Sequence, residues 1–442
     1  MPVRFCPCCC GDGHRPSSAA ANEAAAETPA IHRMASPVRI LTAVPICDGH
    51  DSAINTINLE FIRHGIEVVY LGFHRYVSDI VRAALHEDVA AVGLSSYNGG
   101  HIEFFAEVVQ QLRKAGAPDI AVFGGGGGTI SHADAAIMKR RGVDEIFFAG
   151  TSLTEMADYV RLEYGKRRKR NAKGKPELAL ARKLTEIEDA YANGKKGKRS
   201  TSNAQRPTSK SRESSQRRAK VIGFTGPGGA GKTTLIDELV LRFLQREPEC
   251  RIAILSHDPS VIGEGALLGD RATMINSQDD RVFMRSMATR GQAGGLSPAT
   301  EDCLALLSTS DFDYVIIETV GTGQEALPFR DKLVDQTVLV MNPDYGARLQ
   351  LQKIVMLDVA DIVVVNKTDL DRAKAALSEI EQRLTQNKQR QQIVATVAKR
   401  HRDAGVDKLY ELISKAPGAS VSGWRKQSEL VRSGRRTSGR KR

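Results

Sequence analysis

The sequence predicts an α/β protein with two doubly wound parallel-sheet domains joined by a basic linker. Two observations predict this fold. Short apolar runs alternate with helical patterns over residues 35–165, and the same alternation returns over residues 218–416. Strands that alternate with helices build parallel sheets covered by helices on both faces. Residues 166–217 and 417–442 are instead rich in Lys, Arg, Ser and Gly.

The first domain, residues 35–165, is expected to contain five strands. They fall at 38–44, 66–70, 90–95, 120–123 and 145–148, and helical apolar spacing covers 53–64, 78–85, 104–114 and 133–140. Ligands of such sheets bind beyond the carboxyl ends of the strands. The loops at residues 46–53, 95–101 and 124–129 are therefore the expected binding loops.

Each of these three loops carries one part of a spaced motif. The first reads Asp48-Gly-His50-Asp-Ser-Ala53, then 41 residues precede Ser95-Ser96-Tyr97, and 26 more precede Gly124-Gly125. Both spacings and most of the residues resemble the D-x-H-x-x-G, S-x-L and G-G motif of the base-off cobalamin-binding domain. That resemblance implies a flavodoxin-like fold and adenosylcobalamin as the cofactor.

The resemblance implies that His50 is the lower axial ligand of cobalt. A neutral imidazole suits transition metals, and we expect Asp48 to orient it through the second ring nitrogen. A loop histidine that binds nothing is the alternative for His50, and FMN is the alternative ligand for the sheet.

The remaining cofactor contacts are expected at the other two loops, from the residues Ser95, Tyr97, Gly124 and Gly125. The two glycines would let the cofactor tail approach the backbone closely. The chain departs from the motif at Ala53, where the family has Gly, and at Tyr97, where it has Leu. Ala53 leaves the axial ligand intact, whereas Tyr97 changes the wall around the nucleotide tail of the cofactor.

The second domain, residues 218–416, opens with a phosphate-binding loop. An apolar strand ends at Thr225, Gly226-x-x-x-x-Gly231-Lys232-Thr233 follows, and helical spacing then begins. Strand, glycine loop and helix together are the context that this motif requires. The nucleotide contacts are expected from Gly226, Gly228, Gly229, Ala230, Gly231, Lys232, Thr233 and Thr234. The alternative is a glycine-rich turn without a ligand.

A second nucleotide motif predicts that the base is guanine. A buried strand at 362–365 ends in Asn366-Lys367-Thr368-Asp369, which fits the N-K-x-D pattern of GTPases. The Asp369 carboxylate can accept hydrogen bonds from the ring N–H and the exocyclic amine of guanine, and adenine offers no such pair. We therefore expect GTP to be selected over ATP.

Magnesium would lie between the β- and γ-phosphates of the nucleotide. Its candidate ligands, direct or through water, are Thr233, Asp258, Asp270 and Glu318. Each carboxylate taken singly has a structural alternative, because acidic residues after strands often cap helices. Lys232, Glu318 and Arg290 are the expected catalytic residues, with Arg290 contacting a phosphate or a switch loop.

Four segments of the second domain resemble the MeaB-type GTPase chaperones. They read Asp258-Pro-Ser, Leu268-Gly-Asp-Arg271, Ala288-Thr-Arg-Gly291 and Glu318-Thr-Val-Gly321. A cobalamin domain ahead of such a GTPase resembles the fused isobutyryl-CoA mutases, whose order continues with an acyl-CoA-binding barrel. The resemblance implies a built-in GTP-hydrolysing chaperone that loads and protects the cofactor of an acyl-CoA mutase.

The resemblance ends near Ser414. We therefore expect a truncated product, or a two-domain chain whose barrel is separate, with isomerase activity only when that barrel is supplied. A homodimer and an adenosyltransferase that delivers cobalamin are further expected partners. The alternatives are a cobalamin-binding scaffold with a silent nucleotide site, a stand-alone GTPase subunit, and a basic RNA-associated GTPase.

The net charge of +11 does not favour nucleic acid, because the basic residues concentrate in residues 166–218 and 417–442. We interpret residues 166–217 as a solvated linker, residues 417–442 as a disordered tail and residues 1–34 as a disordered extension. Cys6, Cys8, Cys9 and Cys10 lie too close together for an ordinary zinc site with His14. Seven cysteines and no visible secretory signal predict a reducing cytoplasm and no membrane partner.

Overall fold

The computed structural model describes residues 37–46, 48, 49, 52–166, 174–194, 218–261, 264–321, 328, 329, 333–345, 354–385 and 391–415. The expectations for residues 1–34 and 417–442, for most of the linker and for His50 lie outside the described residues.

The first domain contributes five strands to the first sheet, as expected. Its strands are β1 (Arg39–Ala43), β2 (Glu67–Tyr70), β3 (Ala91–Ser95), β4 (Ala121–Gly125) and β5 (Glu145–Phe147). They lie in the order β5-β4-β3-β1-β2, and every pair is parallel. The order changes direction beside β1 and β3, so the loops that follow these two strands flank a crevice where ligands of doubly wound sheets bind.

Four helices connect these strands, and a fifth follows the last of them. They are α1 (Ser52–Arg63), α2 (Val77–Glu87), α3 (His101–Lys114), α4 (His132–Arg140) and α5 (Leu153–Tyr164). Serine caps fix the first residues of α4 and α5. Ser131 accepts a hydrogen bond from the Asp134 N–H, and Ser152 accepts one from the Glu155 N–H. Such caps satisfy N–H groups that a helix start leaves without a partner.

The second sheet contains seven parallel strands. These are β6 (Lys220–Thr225), β7 (Ile252–Asp258), β9 (Val282–Ala288), β10 (Tyr314–Glu318), β11 (Gln336–Met341), β12 (Ile362–Val365) and β13 (Gln392–Ala395). Their order is β13-β12-β11-β6-β10-β7-β9. Among the described residues, the helices of this domain are α7 (Lys232–Arg246), α8 (Thr300–Ser308), α9 (Met356–Val359), α10 (Ala373–Leu384) and α11 (Ala404–Ser414).

One strand crosses between the two domains. Strand β8 (Ala266–Leu268) follows β7 in the chain but pairs with β2, so the first sheet has the order β5-β4-β3-β1-β2-β8. The sequence analysis did not predict this strand. It consists of three residues, and its partner lies about two hundred residues earlier in the chain.

A helix within the expected linker also contacts both domains. Helix α6 (Pro176–Ala192) starts with a proline at its first turn, where the missing N–H is not needed. Its Leu178 packs in the core of the first sheet, whereas Ala181 and Leu184 pack in the core of the second. The expected fold class, two parallel α/β domains, is confirmed, and α6 joins them as a packed element. No helix in the described part of the chain is long and apolar enough to span a membrane.

Candidate functional site

The phosphate-binding loop lies between β6 and α7. Gly226 (φ 145°) and Gly231 (φ 85°) adopt backbone conformations that side chains disfavour. A Cβ at Gly226 would also collide with the Val340 carbonyl oxygen of the neighbouring strand β11. The glycines therefore hold the loop against the sheet, so that its N–H groups and the start of α7 can face an anion.

Lys232 is the first residue of α7 and is almost completely buried. Its Nζ donates to the Gly226 carbonyl at 3.2 Å and to the Pro227 carbonyl at 3.3 Å. Burial lowers the pKa of Lys232, while the nearby carboxylates of Glu318 and Asp270 act to raise it. This ammonium group therefore curls over the loop at the place where phosphate oxygens would bind.

The predicted magnesium residues come together beside Lys232. The Thr233 hydroxyl donates to Glu318 Oε1 at 2.8 Å, and the Ser256 hydroxyl donates to Asp270 Oδ2. Burial raises the pKa of Asp258, and the charges of Asp270 and Glu318 raise it further. Burial, with the Asp270 charge adding to it, raises the pKa of Glu318 to about 8.

Two oxygens of this cluster are buried without a hydrogen-bond partner in the described part of the chain, Asp258 Oδ2 and Glu318 Oε2. Burial and the neighbouring carboxylates raise the pKa of Asp258 and Glu318, and a bound divalent cation would offset both effects. The described residues contain no group of three or more acidic, His or Cys side chains with the geometry of a complete metal site. Magnesium at phosphate sites takes only one or two carboxylates, with phosphate and water supplying the rest, so the cluster fits this ion.

The nucleotide-free protein is expected to lose stability as the pH rises from 6.5 to 8, because Glu318 titrates near 4.5 when unfolded but near 8 in the fold. Between these two pKa values the unfolded chain has lost the proton, whereas the folded protein keeps it. The free energy of unfolding therefore falls by up to about 1.4 kcal/mol for each pH unit in this range. Burial lowers the pKa of His257 to about 4, so its opposing effect is confined below pH 6.5.

Thermal unfolding in the presence of EDTA measures this dependence. Glu318→Gln should flatten the decline between pH 6.5 and 8, because the amide does not ionise. A wild-type protein whose midpoint is constant over that range would contradict the proposed ionisation of Glu318.

The expected guanine-reading loop follows β12 and contacts the phosphate-binding loop directly. Asn366 Nδ2 donates to the Ala230 carbonyl at 2.9 Å, and the Ala398 N–H donates to Asn366 Oδ1 at 3.0 Å. Lys367, with φ 61°, donates from Nζ to the Gly229 carbonyl at 2.7 Å. These bonds fix the distance between the base loop and the phosphate loop.

The two carboxylate oxygens of Asp369 differ in their contacts. Its Oδ2 pairs with Lys399 Nζ at 2.5 Å, and this hydrogen bond lowers the pKa of Asp369. Its Oδ1 is buried and has no hydrogen-bond partner among the residues that the structure describes. A buried acceptor of this kind needs a donor, and guanine supplies one.

The Arg290 side chain contacts the first domain and α6. Its guanidinium donates to Glu67 Oε1 at 3.0 Å and to the Glu188 carbonyl at 3.2 Å. The side chain is therefore held by acidic residues of the first domain and α6, and its contact with a phosphate or a switch loop stays a prediction. Its backbone bonds the segment after β7, because the Arg290 N–H donates to Ser260 Oγ at 2.7 Å.

The first domain contains a cavity of about 160 Å³ beneath the loops that follow β3 and β4. Its walls come from the predicted Ser95, Tyr97, Gly124 and Gly125, together with apolar residues of α1 and α5 such as Ile54, Phe61 and Met156. The sequence analysis missed these apolar walls, because residues at helical spacing look the same whether they line a cavity or fill a core.

The paired glycines of the first domain have a packing role of their own. A Cβ at Gly124 would collide with the Leu94 carbonyl and the Phe105 ring. Gly127, with φ 53°, lies so close to Tyr97 that a Cβ would collide with that ring. Glycine is therefore required for strand packing at Gly124, and Tyr97 closes over the glycine loop.

Asp48 is buried and ties the loop after β1 to the loop after β3. One of its carboxylate oxygens, Oδ2, accepts a hydrogen bond from the Tyr97 N–H. The carboxylate therefore positions a backbone loop. Its expected bond to the ring of His50 stays a prediction, since His50 lies outside the described residues.

Two families match this chain over complementary ranges. Residues 38–157 match the B12 binding domain, and residues 180–433 match the family of the methylmalonyl-CoA mutase-associated GTPase MeaB. The chain is 36% identical over 421 residues to a fused isobutyryl-CoA mutase of Cupriavidus metallidurans, an alignment that covers 90% of this chain and 37% of that protein. It is 35% identical over 399 residues to the fused isobutyryl-CoA mutase of Geobacillus kaustophilus, covering 86% of this chain and 36% of that protein.

Among solved structures, a cobalamin-binding protein from Desulfitobacterium hafniense is similar, with 24% identity and a TM-score of 0.25. That match covers 29% of this chain and 58% of the other. The chain spans little more than a third of the length of the two curated relatives. The MeaB match alone extends over more than half of the chain, and the B12 binding domain precedes it. The chain thus belongs to the MeaB family of methylmalonyl-CoA mutase-associated GTPases and carries a cobalamin-binding domain ahead of its GTPase domain.

Proposed function

We propose that this chain hydrolyses GTP and that hydrolysis serves the loading and protection of adenosylcobalamin held through His50. The observation that carries the proposal is the convergence of Lys232, the buried carboxylates and the open oxygen of Asp369 around one loop. A silent nucleotide site would have no need for three neighbouring carboxylates, one buried and two half-buried, which destabilise the fold when nothing neutralises them.

The protein's own groups would position GTP by contacts along its whole length. The loop N–H groups and Lys232 would hold the β- and γ-phosphates, and Asp369 would accept hydrogen bonds from guanine. Thr233, Asp258, Asp270 and Glu318 would hold Mg2+, directly or through water. Magnesium, when bound, neutralises charge that develops on the transferred phosphoryl group. Lys367 and Asn366 keep the base loop at a fixed distance from the phosphate loop.

The cavity of the first domain is the place that we propose for the nucleotide tail of a base-off cobalamin. It opens beside Ser95 and the glycine loop, its walls are largely apolar, and Tyr97 forms one side. Cobalamin, when bound, would supply a cobalt–carbon bond for radical chemistry. His50 would ligate the metal, and Asp48, whose carboxylate accepts the Tyr97 N–H, would hold the neighbouring loop after β3 in place.

The partner that we propose is an acyl-CoA mutase barrel. Both curated relatives are called fused isobutyryl-CoA mutase, and this chain spans 37% and 36% of them. With such a barrel, isomerisation of a branched acyl-CoA is the reaction that the cobalamin domain would serve. We propose the cytoplasm as the location and residues 35–165 and 218–416 as the two domains. Adenosyltransferase contact and homodimerisation are further proposals.

Cobalt in the reduced, Co(II) form of the bound cofactor is expected to carry a histidine nitrogen from the protein. Its electron paramagnetic resonance spectrum should show hyperfine splitting from that nitrogen. Labelling histidine with heavy nitrogen should change the splitting, because the nuclear spin differs. His50→Ala should abolish the dependence on the label.

His64→Ala is the matched control, since His64 directly follows α1 and bonds the Glu60 carbonyl at 2.9 Å. It should leave the splitting unchanged. Identical label-dependent splitting in the wild-type and His50→Ala proteins would remove His50 as the ligand.

A further inference from the structure

The chain between Asp258 and Asp270 belongs to both domains. Asp258 ends β7, and Asp270 begins a short 3₁₀ turn, so the two candidate magnesium residues bracket this segment. Between them, the chain leaves the second sheet after β7 and forms β8 at the edge of the first sheet. Glu67 lies opposite Ala266, and Val69 lies opposite Leu268.

Contacts from the first domain hold both ends of this strand. The Gly265 N–H donates to the Ile62 carbonyl at 2.9 Å, and a Cβ at Gly265 would collide with the Ile66 backbone. Beyond the strand, Arg75 Nη2 donates to the Ala272 carbonyl at 2.7 Å. The cobalamin-binding domain therefore sets the path of the chain on either side of Asp270.

Arg271, the residue after Asp270, is fully buried against Glu87 of α2. Its Nε and Nη2 donate to Glu87 Oε1 at 3.1 and 3.0 Å. The same carboxylate accepts the Ser286 N–H at 3.1 Å and the Ser286 hydroxyl at 3.0 Å. Glu87 thus clamps the backbone beside Asp270 to strand β9.

A second glutamate acts on the other end of the segment. Glu67 Oε1 accepts hydrogen bonds from Arg290 Nε at 3.2 Å and Nη2 at 3.0 Å. The backbone of Arg290 in turn bonds Ser260 Oγ, and the Thr289 N–H donates to the Asp258 carbonyl at 3.0 Å. A path of direct contacts therefore joins Glu67 to the chain at Asp258.

These contacts belong to one buried cluster of alternating charge. Its members are Arg39, Glu67, Glu87, Glu188, Arg271, Arg285 and Arg290. Glu188 of α6 bonds Arg285 at 2.6 Å and Arg39 at 2.8 Å, and these arginines, against the effect of burial, hold its pKa down at about 2. Charges buried in this way tolerate little displacement, because any movement leaves one of them without its partner.

We propose that the cobalamin-binding domain forms part of the scaffold of the magnesium site, with Glu87 and Glu67 as positioning residues. Glu87 sets Asp270 through Arg271, and Glu67 sets Asp258 through Arg290 and Ser260. The inference rests on the proposed GTPase function. Since coupling between sites is reciprocal, a nucleotide that shifts Asp258 or Asp270 must also act on the edge of the cobalamin-binding sheet.

Magnesium dependence tests this assignment in the full chain. The probe is the fluorescent nucleotide methylanthraniloyl-GDP, and the rate of its release is measured at increasing Mg2+ concentrations. We expect Glu87→Gln and Glu67→Gln each to raise the half-saturating Mg2+ concentration at least about five-fold, the lower end of ordinary coupling between sites. Affinity for the probe without Mg2+ should stay unchanged, since the variants leave the phosphate and base loops intact.

Asp119→Asn is the matched control. Asp119 accepts two hydrogen bonds from Arg182 of α6, each at 3.0 Å, so the variant also weakens an ion pair between α6 and the first domain. It should lower the unfolding temperature and leave the magnesium dependence as in wild type. A merely structural role for the glutamates would give the same pattern as this control.

Two outcomes overturn the inference at different levels. If wild type binds the probe with a clear magnesium dependence, and both glutamate variants keep the wild-type half-saturation while unfolding at lower temperature, the positioning role is wrong and the GTPase proposal stands. If wild type does not bind the probe at any Mg2+ concentration, the GTPase proposal fails and the positioning role falls with it.

Discussion

Lys232→Ala is expected to reduce the kcat for GTP hydrolysis by about 10²–10³-fold or more, the usual cost of removing one preorganised group that stabilises transition-state charge. The ammonium group of Lys232 is buried above the phosphate loop, where the charges of Glu318 and Asp270 attract it. Without it, the three carboxylates would oppose the phosphates with no fixed counter-charge. Phosphate release under single-turnover conditions measures the loss.

Lys220→Ala provides the control for this variant. Lys220 is the first residue of the same strand that leads to the phosphate loop, and its Nζ donates to the Ile413 carbonyl at 2.5 Å. Removing it changes one lysine at the far end of β6 and should leave kcat near the wild-type value. If Lys232→Ala and Lys220→Ala had similar rates, the proposed role of Lys232 would be wrong.

Asp369→Asn is expected to weaken GTP binding and to improve binding of xanthosine triphosphate. The carboxylate accepts from the two donors of guanine, whereas an amide can also donate to the carbonyl oxygen that xanthine carries in place of the amine. Loss of a hydrogen bond to a charged group costs about 1.5–3 kcal/mol, so GTP affinity should fall by about 10–100-fold. Competition against methylanthraniloyl-GDP gives both affinities.

Asp371→Asn is the matched control for base selection. Asp371 lies two residues beyond Asp369 in the same loop, but its side chain is exposed. The substitution should leave the preference for GTP unchanged. An Asp369→Asn protein that still prefers GTP to xanthosine triphosphate would show that this carboxylate does not read the base.

Local spacing was enough to predict the fold class and the position of the nucleotide loops. The phosphate loop and the base loop are defined by glycines, lysine and carboxylate within a few residues, after apolar strands that periodicity reveals. The structure brings them together because Asn366 and Lys367 donate to the carbonyls of Ala230 and Gly229. Short-range patterns therefore predicted the part of the site whose geometry is local.

The contacts between the domains could not be predicted in this way. Strand β8 is three residues long, and nothing in its own sequence identifies β2 as its partner. Arg271 and Glu87 would ordinarily be expected at the surface, yet both are fully buried because they neutralise each other. Charge pairing over 184 positions of sequence leaves no periodic signal. The ion pair between Arg290 and Glu67 escaped prediction for the same reason.

The first domain shows a different limit of sequence analysis. The spaced motif identified the loops around the cavity, but Gly124 of that motif also has a packing role. Gly124 is needed for contact with Leu94 and Phe105 whether or not a cofactor binds. A motif position can thus serve packing and ligand approach together, and only the structure separates the two.

The most direct test of the central claim is nucleotide turnover by the unmodified 442-residue chain. Steady-state phosphate release should be measured with Mg2+ and either GTP or ATP, at equal concentrations and under the same conditions. The account predicts slow hydrolysis of GTP, with a kcat/KM for ATP lower by about 10²-fold or more, because adenine leaves the buried oxygen of Asp369 without a donor. Equal turnover of the two nucleotides, or no turnover of either, would contradict it.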